Sequence, residues 1–171
     1  MRSFVAISLN QEAKVALAPL QRALPAGKPV PPENLHLTLA FLDDQPEQVL
    51  EALHDELLAL SSVPFHIIFL GIECFGRALA IGVKDSAPLV ALHRKVQTAT
   101  RRAGIVLPRR RFRPHVTIAR LKHAHHQAAH IPHDCTVNTL PEMLVAGFAL
   151  YESTLRPEGA RHVALAHYTF L

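Results

Sequence analysis

Two stretches of the chain set a histidine and a threonine two residues apart inside an apolar run. They are His36-Leu37-Thr38 within "ENLHLTLAFL" (33–42) and His115-Val116-Thr117 within "RPHVTIARL" (113–121). Imidazole titrates near neutrality, so a pair of histidines can divide one reaction, one ring accepting a proton while the other donates. Threonine hydroxyls and a histidinium can hold the non-bridging oxygens of a phosphoryl group while its charge redistributes. The pattern therefore suits in-line phosphoryl transfer, needing neither a nucleophilic side chain nor a metal. His36 and His115 are the expected proton carriers, with Thr38 and Thr117 beside them.

With 12 His and 8 Thr in 171 residues, chance supplies about 0.6 such pairs, so one match alone carries little. A third, His167 and Thr169 in "AHYTFL", lies near the end of the chain and reads as a terminal strand with a structural histidine. The first two recur 79 residues apart and continue alike, as "LAFL" and "IARL". That near-repeat points to two related lobes facing each other, each contributing one motif.

Strands must position these residues, because side chains two apart on a strand share a face. His36 joins Thr38, and His115 joins Thr117, while Leu35, Leu37, Leu39 and Phe41 on one strand, and Val116 and Ile118 on the other, pack behind. Strict alternation sends Arg120 to the far face unless a bulge or the strand end redirects it. Phe41 and Phe112 could each stack a base, but core packing is the expected role of both.

Further strands are expected at 4–7, 65–72, 78–84, 143–151 and 162–170, beside those at 35–42 and 115–121. Helices are expected at 11–23, with Val15, Ala16 and Leu20 on one face and Pro19 kinking it, at 46–60 from Pro46, and at 87–103 opened by Ser86 and Pro88. No Gly-rich phosphate loop follows any strand, which disfavours a doubly wound dinucleotide fold. The predicted class is α+β, a bilobal pseudo-duplicated fold with two antiparallel sheets facing a central cleft and helices outside. One domain over 1–171 is expected.

An apolar fraction of 49%, a charged fraction of 19% and a mean hydropathy of +0.15 exclude wholesale disorder, and no segment reaches the roughly 20 apolar residues of a membrane span. Asn10, Gln11, Glu12 and Lys14 interrupt the opening "MRSFVAISLN" too soon for a secretory leader. Cys74 and Cys135 lack metal or redox spacing, so a reducing cytoplasm is expected. The net charge of +4 mildly favours polyanionic partners. Arg101, Arg102, Arg109, Arg110, Arg111, Arg113 and Arg120 crowd before and beside the second motif as a basic wall or, alternatively, a solvated turn. In "HAHHQAAHIPHD" (123–134), His126 and His130 stand one helical turn apart and could take Zn²⁺ or Ni²⁺. The stretch reads as a loop without an arranged carboxylate or thiolate, so no physiological metal site is expected there.

With these motifs the chain resembles the 2H phosphoesterases, and among them the bacterial and archaeal RNA 2',3'-cyclic phosphodiesterases, also called 2'-5' RNA ligases. The likeness runs through "MRSFVAI", "ENLHLTLAFL", "FRPHVTIARL" and "LYESTLRPEG" to a final strand. It implies a cleft that takes RNA ends bearing a 2',3'-cyclic phosphate, including tRNA fragments or nucleotides, with no cofactor and no metal. It implies that His36 donates a proton to the departing 3'-oxygen, that His115 accepts one from water, and that Thr38 and Thr117 grip the phosphoryl oxygens. The two labels exchange in the reverse reaction, which joins a 5'-hydroxyl through a 2'-5' bond. Arg120 matches an arginine that often follows the family's second motif and would bind substrate. Where relatives often carry a tyrosine after the late glycine, this chain has Arg161 and His162. A monomer is expected. The competing readings are a non-catalytic RNA-end binder and a 2H enzyme acting on a small cyclic phosphate or a 2'-5' linkage.

Overall fold

A computed structural model of the chain describes residues 1–122 and 140–171. The histidine-rich 123–134 stretch and Cys135 lie outside the described residues. In chain order the elements are β1 (Arg2–Ser8), α1 (Gln11–Ala23), β2 (Lys28–Pro29), a 3₁₀ turn (Pro32–Asn34), β3 (His36–Asp44), α2 (Glu47–Leu58), β4 (Phe65–Ile67), β5 (Phe69–Phe75), β6 (Ala78–Val83), α3 (Ala87–Arg102), β7 (His115–Arg120), β8 (Met143–Val145), β9 (Gly147–Arg156) and β10 (Gly159–Thr169).

The α+β class is as expected. The large sheet runs β10-β9-β1-β3-β7-β6-β5, with β2 also bonded to β7, while β4 and β8 form a small sheet of their own. The large sheet holds both motif strands side by side, so it can be read as two halves, β10-β9-β1-β3 and β7-β6-β5 with β2. Their seam is a single antiparallel pair, Leu37 with Val116, the central residues of the two motifs. Beyond that pair the ladder ends and a cleft opens between the halves.

Two expected strands, 65–72 and 143–151, are each split where the chain passes from the small sheet to the large one, at Ile68 and at Ala146. The second crossing requires glycine, because a Cβ on Gly147 would collide with the Tyr168 carbonyl oxygen of the adjacent strand.

The helices shield the sheet. α2 packs on α3 and on β10, and α3 packs on β3 and β4. Leu53, Leu57, Leu89, Leu92 and Val96 are thereby buried in one core with Leu37, Ile81, Val116 and Ile118. Burial of each such side chain contributes about 1.5–3 kcal/mol, which fixes the motif strands from behind. Helix α1 differs in phase from the expectation. It buries Ala13, Leu17 and Gln21 and leaves Val15 61% exposed. Gln21 wins that face because its amide donates to the carbonyls of Val30 (3.0 Å) and Ile118 (2.9 Å), clamping α1 to β7. Pro19 lies inside the helix on its exposed side, where the carbonyl it leaves unpaired reaches water. Ser86 stands at the start of α3, yet its hydroxyl makes no capping bond and is buried without a partner. No helix among the described residues is long and apolar enough to cross a membrane.

Candidate active site

Each motif strand carries a bulge at the same place. Against β1, Val5 pairs with Ala40 and Ala6 with Thr38, so Leu39 is an extra residue in β3. Against β6, Leu79 pairs with Ala119 and Ala80 with Thr117, so Ile118 is an extra residue in β7. A bulge shifts the alternation by one residue. In both strands two consecutive residues are therefore buried, Leu39-Ala40 and Ile118-Ala119, and the next residue turns to the cleft. That residue is Phe41 in the first motif and Arg120 in the second.

The cleft has a volume of about 770 Å³ and is lined by His36, Thr38, His115, Thr117 and Arg120 together. All five expected site residues thus meet in one place, Arg120 by way of the bulge. His36 and Thr38 flank Leu37, and His115 and Thr117 flank Val116, so the four side chains surround the one pair that joins the two strands. His167, on β10, is exposed and lies outside this lining.

Phe41 departs from the expected core role. It is 65% exposed and faces the cleft, because the alternation that would have buried it is broken at Leu39. Phe112 keeps the expected role, stacked on His93 at 3.8 Å with planes 7° apart.

Both histidines are pinned alike. His36 Nδ1–H donates to the Asn34 carbonyl, and His115 Nδ1–H to the Arg113 carbonyl, each at 2.6 Å and each two residues upstream. A carbonyl only accepts, so the proton is held on Nδ1 and Nε2 is left to exchange protons with a ligand. Asn34 is itself tied down through its side-chain amide, which donates to the Ala160 carbonyl of β10 at 2.7 Å.

An aromatic ring supports each imidazole from behind. Phe4 stacks on His36 with centroids 4.8 Å apart and continues to Tyr151 at 5.1 Å. Phe75 stacks on His115 at 4.3 Å, and the Arg113 guanidinium lies over the Phe75 ring at 4.5 Å. His162 meets His36 edge-on at 5.4 Å and Phe4 at 4.9 Å, and its Nδ1 is buried without a partner.

This enclosure sets the protonation of His36. Burial pushes its pKa down to about 4, the Asn34 carbonyl working against that shift, and His162, Arg120 and His115 add positive potential that lowers it further. Burial, with Arg120 second, lowers His162 as well.

Asn34, Phe4, Phe75 and His162 carry no motif signal, and sequence reasoning does not find them. Phe41 has one, since superposing "HLTLAF" on "HVTIAR" aligns it with Arg120.

The 2'-5' RNA ligase superfamily profile matches residues 9–154. An Archaeoglobus fulgidus protein named RNA 2',3'-cyclic phosphodiesterase is 31% identical over 167 residues, covering 93% of this chain and 94% of that one. A Thermus thermophilus protein of the same name is 33% identical, with 99% and 90% covered. Among solved structures, E. coli LigT in its apo form matches with a TM-score of 0.81 at 25% identity, covering 99% of this chain and 96% of that one. By sequence profile and by fold, the chain belongs to the 2'-5' RNA ligase superfamily.

Proposed function

We propose that the protein hydrolyses RNA 2',3'-cyclic phosphate ends to 2'-phosphomonoesters, as one two-lobed domain with one motif per lobe. The observation that carries this reading is the pair of imidazoles pinned through Nδ1, with both threonines beside them in one cleft. The name shared by the relatives supports it.

In this reaction the water oxygen bonds to phosphorus as the bond from phosphorus to the 3'-oxygen breaks. His115 Nε2 takes the proton from water, and His36 Nε2–H gives one to the 3'-oxygen. Thr38, Thr117 and Arg120 hold the non-bridging oxygens. An incoming 5'-hydroxyl in place of water would make a 2'-5' linkage by the same two transfers, so the expected exchange of labels does not apply to ligation; it applies when either reaction runs backward. Both lobes of one chain complete the site, which supports a monomer; its substrates would be RNA fragments or nucleotides, and two cysteines without metal or redox spacing fit a reducing cytoplasm. A stable dimer in sedimentation at micromolar concentration would overturn the monomer.

One observation favours the opposite division of labour. With a pKa near 4, His36 presents an unprotonated Nε2 in the unliganded cleft, the state a base requires. For His36 to be the acid, the anionic phosphate must raise its pKa on binding. A cyclic substrate with sulfur at the bridging 3' position separates the two, because thiolate leaves without an acid. Only the variant lacking the acid, His36→Ala or His115→Ala, is rescued by sulfur.

The primary test is hydrolysis of a short RNA 2',3'-cyclic phosphate in EDTA by the wild type, His36→Ala, His115→Ala and His167→Ala, resolving 2'- from 3'-phosphate. The expected result is a 2'-phosphate product, retained in His167→Ala and reduced about 10²–10⁴-fold in the other two. Equal turnover in all four would sink the assignment. Binding without turnover would leave an RNA-end binder.

A further inference from the structure

The arginine-rich stretch before the second motif separates in the structure into parts with different tasks. Arg101 and Arg102 close α3, where cations offset the helix dipole. Arg101 donates to the Thr98 hydroxyl at 3.2 Å, and Arg102 lies 3.6 Å from Glu56. Arg120 faces the cleft, and Arg113 covers Phe75. Arg109, Arg110 and Arg111 do none of this. All three are exposed, and neither ion pair found among the described residues involves them.

The segment that carries them has neither helix nor strand, yet it is anchored on both sides of the three arginines. Ile105 is buried at one end. Phe112 is stacked on His93, and the Pro114 carbonyl accepts from the Val83 amide at 2.9 Å. Three adjacent cations are thus presented to solvent on a backbone that needs little further ordering to bind. No carboxylate occurs between residues 105 and 114. The lining of the cleft itself is mixed, with Arg2, Arg156 and Arg161 among Glu33, Asp43 and Glu158, and Arg109, Arg110 and Arg111 lie outside that lining.

Distance completes the case. At no more than about 3.6 Å per residue, Arg111 lies within roughly 14 Å of His115 along the chain and Arg109 within roughly 22 Å. That span covers a few nucleotides of an extended strand leaving the reacting phosphate, with Arg113 midway.

We propose that Arg109, Arg110 and Arg111 form a phosphate-binding track for the body of a single-stranded RNA whose cyclic-phosphate end occupies the cleft. The track rests on the RNA-end reading above and adds where the remainder of the polymer lies. Its contacts are to the backbone, so it favours longer RNA over mononucleotides without selecting sequence.

The test compares a nucleoside 2',3'-cyclic monophosphate with an oligonucleotide of about ten nucleotides ending in the same group. For Arg109→Ala/Arg110→Ala/Arg111→Ala, kcat/KM on the oligonucleotide should fall roughly tenfold at low salt. The slope of log kcat/KM against log salt should shrink by about 2, at about 0.7 per lost contact. The mononucleotide reaction should stay within about twofold, because that substrate does not reach the track. The triple lysine variant should recover most of the loss, since backbone contacts ask for charge. Unchanged oligonucleotide kinetics and salt slope in the alanine variant would overturn the track. So would an equal loss on both substrates, which would mean a damaged cleft. Should the wild type turn over neither substrate, the cyclic phosphodiesterase reading fails by itself. The track is then judged by anisotropy of the same oligonucleotide ending in a 2'-phosphate, where the same drop in salt slope supports it and an unchanged slope rejects it.

Discussion

The two motif strands have nearly the same backbone and quite different surroundings. In each, a histidine is pinned by the carbonyl two residues before it, a phenylalanine stacks behind the ring, and a bulge turns the fifth residue after the histidine into the cleft. Around His115 the stacked ring is Phe75, which carries the Arg113 guanidinium on its face. The repeated part presents the imidazoles, and the divergent part gives each its own electrostatic setting. A two-histidine mechanism needs that inequality, because one ring must give a proton while the other takes one.

After the histidines themselves, the paired hydroxyls are the most damaging part of the shared machinery to remove. Thr38→Val and Thr117→Val keep the shape and delete the donor, and each is expected to lower kcat about 10²-fold with little change in KM if the hydroxyls act on developing charge. A large difference between the two would show that the lobes share the phosphoryl group unequally.

Exchanging the divergent residues sharpens the contrast. Arg120→Phe should weaken binding of the anionic substrate about tenfold, visible as a raised KM that salt no longer affects as strongly. Phe41→Arg should leave that salt response in place or strengthen it. If both substitutions act alike, the two positions are not specialised.

The next effect is on protonation. Replacing His162 by tyrosine removes one positive neighbour while retaining bulk, so the His36 pKa should rise somewhat above about 4 in an NMR titration, with burial, the larger cause, keeping it below the ordinary value. An unmoved His36 resonance would show that His162 does not contribute to the shift.

The smallest effect is on stability. His36 and His162 are both lowered from 6.5 in the folded protein, so the unfolded chain binds more protons within that window. Stability should be intact above about pH 6.5 and decline as the pH falls toward 4. His36→Asn should flatten that decline in urea melts, whereas His167→Ala should not.

Much of the site is legible in the amino-acid order. Alternation places His36 with Thr38 and His115 with Thr117, because periodicity is local and needs only neighbouring residues. Strict alternation cannot place Phe41 or Arg120, because a bulge arises from pairing with another strand. The buried face of α1 escapes periodicity for the same kind of reason: Gln21 is polar, and only the carbonyls of Val30 and Ile118 make its burial favourable.

The sequence by itself determined the repeated motif, the class of fold and the residue types able to move protons at a phosphate. Tertiary structure alone decided that the two motifs meet through Leu37 and Val116, that His162 presses on His36, and that Arg120 reaches the cleft while Arg109, Arg110 and Arg111 face solvent. The physical reason is that periodicity and residue chemistry are properties of a few adjacent residues. Burial, potential and register depend on which distant strand lies alongside.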